Sequence, residues 1–141
     1  MEITKSQSEI LCLEKSGDYD FVCDISKAVT KLGFNPKIAF LSHSTFGQPL
    51  TSRTKHIIDA VDILKKRKVD FKFDGDMQPD VALDEEYADL YPFSEIVGKA
   101  NILIMPGQHS AAISYKIMTT LGDAKVIGPL LVGLGQPIEI A

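Results

Sequence analysis

The chain has 141 residues and a mass of 15.5 kDa, enough for one domain with its own hydrophobic core. Hydrophobic residues make up 45% and charged residues 24%, so disorder is not expected. The net charge of −4 argues against nucleic-acid or anionic-membrane ligands. No secretory signal or transmembrane stretch is recognised, and Cys12 and Cys23 form no zinc pattern. We therefore expect a cytoplasmic protein without a metal site.

The first third of the chain predicts a lead-in, a helix, a strand and a loop. Residues 1–18 are weakly patterned and are interpreted as an N-terminal lead-in, with residues 19–141 as the domain. Apolar residues then recur at helical spacing over 20–32, and Gly33 ends that helix. The apolar run 37–42 indicates a buried strand, followed by a polar loop.

The middle of the chain predicts a second helix and a second strand. Apolar residues at 57–64 follow helical spacing, with Thr51 or Ser52 as the N-cap. Residues 69–73 alternate between apolar and polar, which is typical of a half-buried strand. Residues 74–80 are rich in Asp, Gly and Pro and predict irregular structure, with their acidic side chains in a solvated loop.

The last part of the chain predicts a short helix at 84–90, a strongly buried strand at 100–105 and a helix at about 110–121 that Gly122 ends. Apolar extended segments follow up to 140. We expect the last helix to face the core through an apolar stripe, formed by Ile113, Ile117, Met118 and Leu121.

Helices and strands alternate, with connections too long for hairpins, so the fold class is α/β. We predict a three-layer sandwich with a mainly parallel sheet, in which residues 38–41 and 102–104 are central and buried. The chain stops inside an apolar extended run, and we interpret it as an incomplete domain.

The loop after the first buried strand is the first candidate site. In open α/β sheets, ligands bind beyond the carboxyl ends of the strands. Ser44, Thr45 and Gly47 place hydroxyls and a glycine there, ahead of a helix N-terminus, which suits phosphate oxygens. The alternative interpretation is an ordinary capping and turn-forming loop.

The turn after the second buried strand has the same placement, and Gln108, His109 and Ser110 lie in it. His109 is a candidate acid, base or hydrogen-bond donor, although a histidine at a helix start is more often a cap or a surface residue. Asp74, Asp76 and Asp80 lack the spacing of a calcium loop, so no metal site is predicted from them.

Four segments in order carry a family resemblance: KIAFLSHSTFG, VDFKFDGDMQPDVAL, PFSEIVGKANILIMP and SYKIMTTLGDAKVIGPLLVGLGQP. Over residues 20–141 the chain resembles the phosphate acetyl/butyryltransferase (phosphotransacetylase) family, and within it the C-terminal domain of bacterial NADP-dependent malic enzymes. The resemblance implies one subdomain, chiefly the second, of a fold similar to isocitrate and isopropylmalate dehydrogenases. It also implies acetyl-CoA and acetyl phosphate as ligands, no metal, and a substrate cleft faced by Ser44, Thr45, Gly47 and residues 106–112.

Three departures from the family pattern bear on activity. The family's Pro-Asp-Leu-Asn/Gln turn is Pro106-Gly107-Gln108-His109 here, and its later asparagine is Ala112. Its Ser-Arg-Gly signature and the aspartate proposed as the base would fall beyond Ala141. We therefore expect a malic-enzyme-type acetyltransferase-like domain that is catalytically silent alone and needs no cofactor beyond CoA as a ligand.

Two alternatives stay open: the active half of a split phosphate acetyltransferase, and a stand-alone regulatory module for acyl-CoA or acyl phosphate. We also expect a homodimer, because the segment 126–140 is rich in Leu, Ile and Val and lacks Lys and Arg.

Overall fold

The computed structural model describes residues 9–12, 20–127, 130–131 and 138–139, with side chains described over 20–127. Helices and strands alternate as the sequence predicts. Their bounds are β1 Glu9–Cys12, α1 Asp20–Lys31, β2 Lys37–Leu41, α2 Ser52–Arg67, β3 Lys72–Met77, α3 Pro79–Leu83, a 3₁₀ turn Glu85–Tyr87, β4 Ile102–Met105, α4 Gln108–Leu121, β5 Leu130–Leu131 and β6 Ile138–Glu139.

A four-stranded sheet forms the middle of the fold, in the order β1-β4-β2-β3. All three strand pairs in it are parallel, and β2 aligns with β4 from Ile38↔Ile102 to Phe40↔Ile104. The residues of β4 and those from Ile38 to Leu41 are buried, because both strands are covered on both faces. The prediction of a mainly parallel sheet with these two central strands is confirmed.

Helices cover both faces of the sheet. On one face, α1 and α2 pack their apolar stripes against the side chains of Ile38, Phe40 and Ile104. On the other face, α3 and residues 87–100 pack against Ala39, Leu41 and β4. Two separate cores therefore lie on either side of one sheet, which confirms the α/β sandwich.

The second predicted strand begins and ends later than its polarity pattern suggests. It spans Lys72–Met77 instead of 69–73, so the prediction of irregular structure at 74–77 is wrong. Asp74, Gly75 and Met77 pair in parallel with β2, and this outweighs the low strand propensity of Asp and Gly. Asp76 lies at a register shift between Gly75 and Met77 and has no partner residue in β2. The predicted irregular segment also contains the start of α3 at Pro79.

The prediction that the apolar stripe of α4 faces the core is wrong. Ala111 is the buried residue of this helix, whereas Ile113, Ile117, Met118 and Leu121 are exposed. Helical spacing shows that these side chains share one face, but it does not determine what that face contacts. In the described part of the chain, α4 contacts the core beside the sheet through Ala111, close to the N-terminus of the helix. The apolar stripe of α4 is exposed instead of packed against the sheet.

Two expectations fall partly on residues outside the described ranges. Within the segment interpreted as a lead-in, Glu9–Cys12 forms edge strand β1, paired with β4. Near the end of the chain, β5 and β6 pair antiparallel, while 128–129, 132–137 and 140–141 lie outside the described residues. Within the described ranges, none of the helices combines the length and hydrophobicity that a membrane crossing requires.

Candidate functional site

The candidate site lies at the carboxyl edge of the sheet, where three neighbouring parallel strands end. The loop 42–48 follows β2, Gln78 follows β3, and residues 106–110 form the turn after β4 and the first residues of α4. Because β4, β2 and β3 are adjacent and parallel, these three segments share one edge. This is the edge at which open α/β sheets bind ligands.

Asp76 in β3 organises the loop after β2. Its carboxyl group is fully buried and accepts hydrogen bonds at both oxygens. The Ser42 hydroxyl donates to Oδ2 at 2.8 Å, the Ser44 hydroxyl donates to the same oxygen, and the Gly47 amide donates to Oδ1 at 2.9 Å. The Asp76 carbonyl also accepts from the Phe46 amide at 2.7 Å. One side chain thus holds the loop at several points along its length.

Gly75 explains how Asp76 comes so close to the neighbouring strand. A Cβ atom at position 75 would lie 2.7 Å from Cβ and 2.8 Å from the carbonyl oxygen of Phe40 in β2. The backbone of Gly75 also has a φ of +154°, which side chains other than hydrogen rarely allow. Glycine therefore brings β3 against β2 immediately before the residue that anchors the loop.

The three predicted site residues of this loop, Ser44, Thr45 and Gly47, are brought together. The Ser44 side chain is buried and directed at Asp76, and Gly47 uses its amide for the same carboxyl group. The Thr45 hydroxyl accepts a hydrogen bond from the backbone amide of Gln78 at 3.2 Å, which connects the loop to the end of β3. These contacts hold the loop in place, and the role of the three residues in substrate binding stays a prediction.

The other three predicted site residues lie in the first turn of α4. Gln108 and His109 are exposed, and Ser110 is half-buried. The Ser110 hydroxyl donates to the carbonyl of Gly107 at 2.8 Å, within its own turn. Gln108 and His109 are therefore accessible from solvent at this edge, and their role in ligand binding stays a prediction.

The two candidate segments contain no lysine or arginine. Residues 42–48 read SHSTFGQ and residues 106–112 read PGQHSAA. Within 42–48 the backbone amides of Ser42 and of residues 44–48 already donate to acceptors in the protein. The groups left for an anion are therefore the Thr45 hydroxyl, the glutamine side chains, the two histidines and the backbone amides of the first turn of α4. The segments thus supply directed hydrogen-bond donors but no fixed positive charge, which phosphate transfer usually requires.

An open groove of about 480 Å³ adjoins the loop. We call it the aromatic groove, because the rings of Phe46, Tyr91 and Phe93 form one wall. Their centroids are separated by 4.9 Å (Phe46–Phe93), 5.4 Å (Phe46–Tyr91) and 6.2 Å (Tyr91–Phe93). Asp80 also lines the groove, and the hydrogen bond that it accepts from the Tyr87 hydroxyl raises the pKa of Tyr87.

Sequence reasoning missed Asp76 and the aromatic groove. The prediction that the acidic residues of 74–80 lie in a solvated loop is wrong for Asp76, which is buried in β3. The available signal was the alternation Ser42-x-Ser44 after a buried strand, since two hydroxyls close to a buried strand each need a hydrogen-bond acceptor if they are buried. No local signal shows that Tyr91 and Phe93 meet Phe46, which lies 45 residues before Tyr91.

The comparisons with known proteins agree on one family. The model of the family described as phosphate acetyl/butaryl transferase matches residues 20–141. The NADP-dependent malic enzyme of Rhizobium meliloti is 49% identical over 111 residues, which is 79% of this chain and 15% of that enzyme. The phosphate acetyltransferase of Clostridium acetobutylicum is 39% identical over 105 residues, covering 74% of this chain and 32% of the relative.

Solved structures give the same result. A phosphotransacetylase from Streptococcus pyogenes has a TM-score of 0.78 and 33% identity, covering 84% of this chain and 36% of that one. The EutD phosphotransacetylase from Staphylococcus aureus also has a TM-score of 0.78, at 26% identity over 90% of this chain and 41% of its own. The chain thus spans well under half the length of these relatives. It belongs to the phosphate acetyl/butaryl transferase family.

Proposed function

We propose that this chain is a phosphate acetyltransferase-like domain of the malic-enzyme type, which binds acetyl-CoA or acetyl phosphate at the sheet edge but does not transfer acetyl groups by itself. The observation that carries the proposal is the loop 42–48 anchored by Asp76 beside the start of α4. The loop and the first turn of α4 lie at the same edge of the sheet, and α4 presents the exposed Gln108 and His109 side chains there. We place its action in the cytoplasm.

The chemistry of the site supports binding without catalysis. Transfer between CoA and phosphate needs a base for the thiol and positive charge for the phosphate oxygens. Residues 42–48 and 106–112 supply neither lysine nor arginine. The Ser42 and Ser44 hydroxyls donate to Asp76, and the Ser110 hydroxyl donates to Gly107, so these hydroxyls already have acceptors. Each missing group lowers the rate by about 10²-fold or more.

A coupled measurement tests this proposal. The isolated chain is mixed with acetyl phosphate and CoA, thioester formation is followed by absorbance, and acetyl-CoA binding is measured by calorimetry. We expect heat of binding that His109→Ala reduces, and no thioester above the blank. Thr119→Ala is the matched control, because its exposed hydroxyl lies almost three turns further along the same helix. Absence of binding, or equal loss in both variants, would refute a ligand site at this edge.

The two alternatives predict different results in the same experiment. An active half of a split transferase forms thioester only after a second chain with the missing cations is added. Thioester formed by this chain alone, in proportion to its concentration and abolished by Ser44→Ala, would show a complete site. A stand-alone regulatory module binds acetyl-CoA tightly without any second chain. Calorimetry with and without a full-length relative therefore distinguishes the three cases.

We also propose that the chain forms a homodimer through α4. Ile113, Ile117 and Leu121 lie four residues apart on one face and are 59%, 53% and 82% exposed. Lys116 is the one charged residue of the helix, so two copies of this face meet with little repulsion. Val126 and Ile127, at the start of the apolar segment, extend the exposed surface. A two-fold pair of such helices buries both stripes at once.

Light scattering coupled to size exclusion tests the dimer. We expect twice the mass of 15.5 kDa at micromolar concentrations, and the monomer mass for Ile117→Glu. The control is Leu32→Glu, which adds the same charge at a similarly exposed leucine just after α1. A monomer mass for the unmodified chain at high concentration would refute the dimer, as would dissociation by both variants.

A further inference from the structure

We propose that the aromatic groove and the acidic residues around it form a docking surface for a partner protein, which binds it through a basic amphipathic segment. That segment presents one apolar side chain to the groove and lysines or arginines to its rim. This surface adjoins the ligand site proposed above and shares the loop 42–48 with it, and its other residues come from 78–93. It does not depend on acetyl-CoA binding.

The groove has the properties of a preformed site for an apolar anchor. Phe93 and Leu90 are 70% and 68% exposed, although each lies beside other apolar side chains. Contacts of Phe46 with both Tyr91 and Phe93 hold the rings in a tilted arrangement, and buried Val81 lies at the base. Rigid aromatic side chains of this kind lose little entropy on binding and dominate the energetics of protein interfaces.

The negative charge of the residues around the groove favours a partner segment that carries positive charge. Residues 78–95 contain no lysine, arginine or histidine, and their six acidic residues are Asp80, Asp84, Glu85, Glu86, Asp89 and Glu95. One described ion pair joins this segment to a cation, between Glu95 and Lys72 at 3.2 Å. The local field around residues 78–95 is therefore negative, which attracts a cationic segment.

A second copy of the chain does not match the groove. The apolar stripe of α4 carries a single positive charge, Lys116. The basic run 65–68 is Lys-Lys-Arg-Lys, so it offers no apolar anchor, and Arg67 is bound to Asp20 at 2.6 Å. Neither of these two described surfaces combines apolar and basic groups on one segment, so we assign the docking segment to another protein.

A model peptide provides the probe. It is a short amphipathic helix of lysine and leucine with one tryptophan. The control peptide has the same sequence with glutamate at every lysine position. Because the chain contains no tryptophan, peptide fluorescence reports binding directly. We expect the basic peptide to bind the full chain, with an affinity that falls as salt is added. We expect it to shift the backbone amide resonances of residues 78–95.

Matched variants distinguish the groove from nonspecific attraction. Phe93→Ala should lower the affinity of the chain for the basic peptide by about tenfold or more. The triple variant Glu85→Gln, Glu86→Gln and Asp89→Asn should lower the same affinity and make it less dependent on salt concentration. The controls are Leu32→Ala, a similarly exposed leucine outside the groove, and the triple variant Asp59→Asn, Asp62→Asn and Asp70→Asn, which removes the same charge elsewhere. We expect the controls to bind like the unmodified chain.

Four results would overturn the proposal. The first is no binding of the basic peptide at about 1 mM, since a docking surface must exceed that affinity. The second is equal binding of the glutamate peptide, which would indicate an apolar site without charge selection. The third is equal weakening by the controls. The fourth is a groove already covered by a second copy, seen as resonance changes at Phe93 on dilution of the protein alone.

Discussion

Replacing Asp76 with alanine tests whether one buried carboxyl group holds the candidate site together. The Ser42 hydroxyl, the Ser44 hydroxyl and the Gly47 amide all donate to it, and all three lie in or at the start of the loop 42–48. The substitution leaves these donors without their acceptor at a position that is fully buried. We therefore expect both a loss of global stability and a looser loop.

The size of the expected stability loss follows from the number of hydrogen-bond donors that lose their acceptor, which is three. A buried donor that loses its acceptor costs about 1–3 kcal/mol, which gives an upper range of about 3–9 kcal/mol for independent bonds. Two effects reduce this sum. The Ser42 hydroxyl has a second acceptor, the Ser44 carbonyl at 3.0 Å, and removing a buried carboxyl group also removes its desolvation cost. We expect a decrease of about 3 kcal/mol in the free energy of unfolding.

Urea unfolding followed by circular dichroism measures this decrease, since the chain has no tryptophan for fluorescence. Asp74→Ala is the matched control, because Asp74 lies in the same strand but is only partly buried and accepts from the adjacent Gly75 amide. It should cost about 1 kcal/mol or less. A double-mutant cycle with Ser44→Ala should show coupling of about 1 kcal/mol or more. An Asp76→Ala variant no less stable than Asp74→Ala would refute the reasoning.

Three further outcomes are expected. Gly75→Ala should destabilise the chain by about 2 kcal/mol or more in the same urea assay, because its Cβ would collide with β2; an unchanged midpoint would contradict the close approach. Thr51→Ala should cost about 1 kcal/mol, because the Thr51 hydroxyl caps α2 at the Thr54 amide, whereas the exposed Thr119→Ala should cost less. Burial raises the pKa of the Cys23 thiol, so, with the other cysteine replaced by serine, its alkylation should be slower than that of free cysteine at the same pH and should accelerate only at higher pH. Because the raised pKa belongs to the folded state, the associated stability is present below the ordinary thiol pKa and is lost as pH rises; alkylation as fast as free cysteine would contradict this.

Local sequence was sufficient for the elements whose signals are local. Residues 38–41 and 102–105 are apolar at successive positions, and the structure buries both runs in the central strands β2 and β4. The N-cap at Thr51 and the stop at Gly122 were equally readable, because capping depends on a few adjacent residues. The family resemblance also follows from sequence, since the order of its motifs is a property of the chain alone.

The tertiary structure decided everything that depends on which elements meet. Asp74-Gly75-Asp76 has low strand propensity, and it lies in a strand because Asp74 and Gly75 pair with Ala39 and Phe40 of β2, 35 residues earlier in the chain. The pairing on either side of Asp76 holds this residue at a register shift, where its side chain is buried and anchors the loop 42–48. The stripe of α4 was recognised correctly as one apolar face, yet its environment depends on where the helix packs, which spacing does not encode. Sequence periodicity determines the direction of a side chain relative to its own element, whereas burial and partners depend on contacts between distant segments.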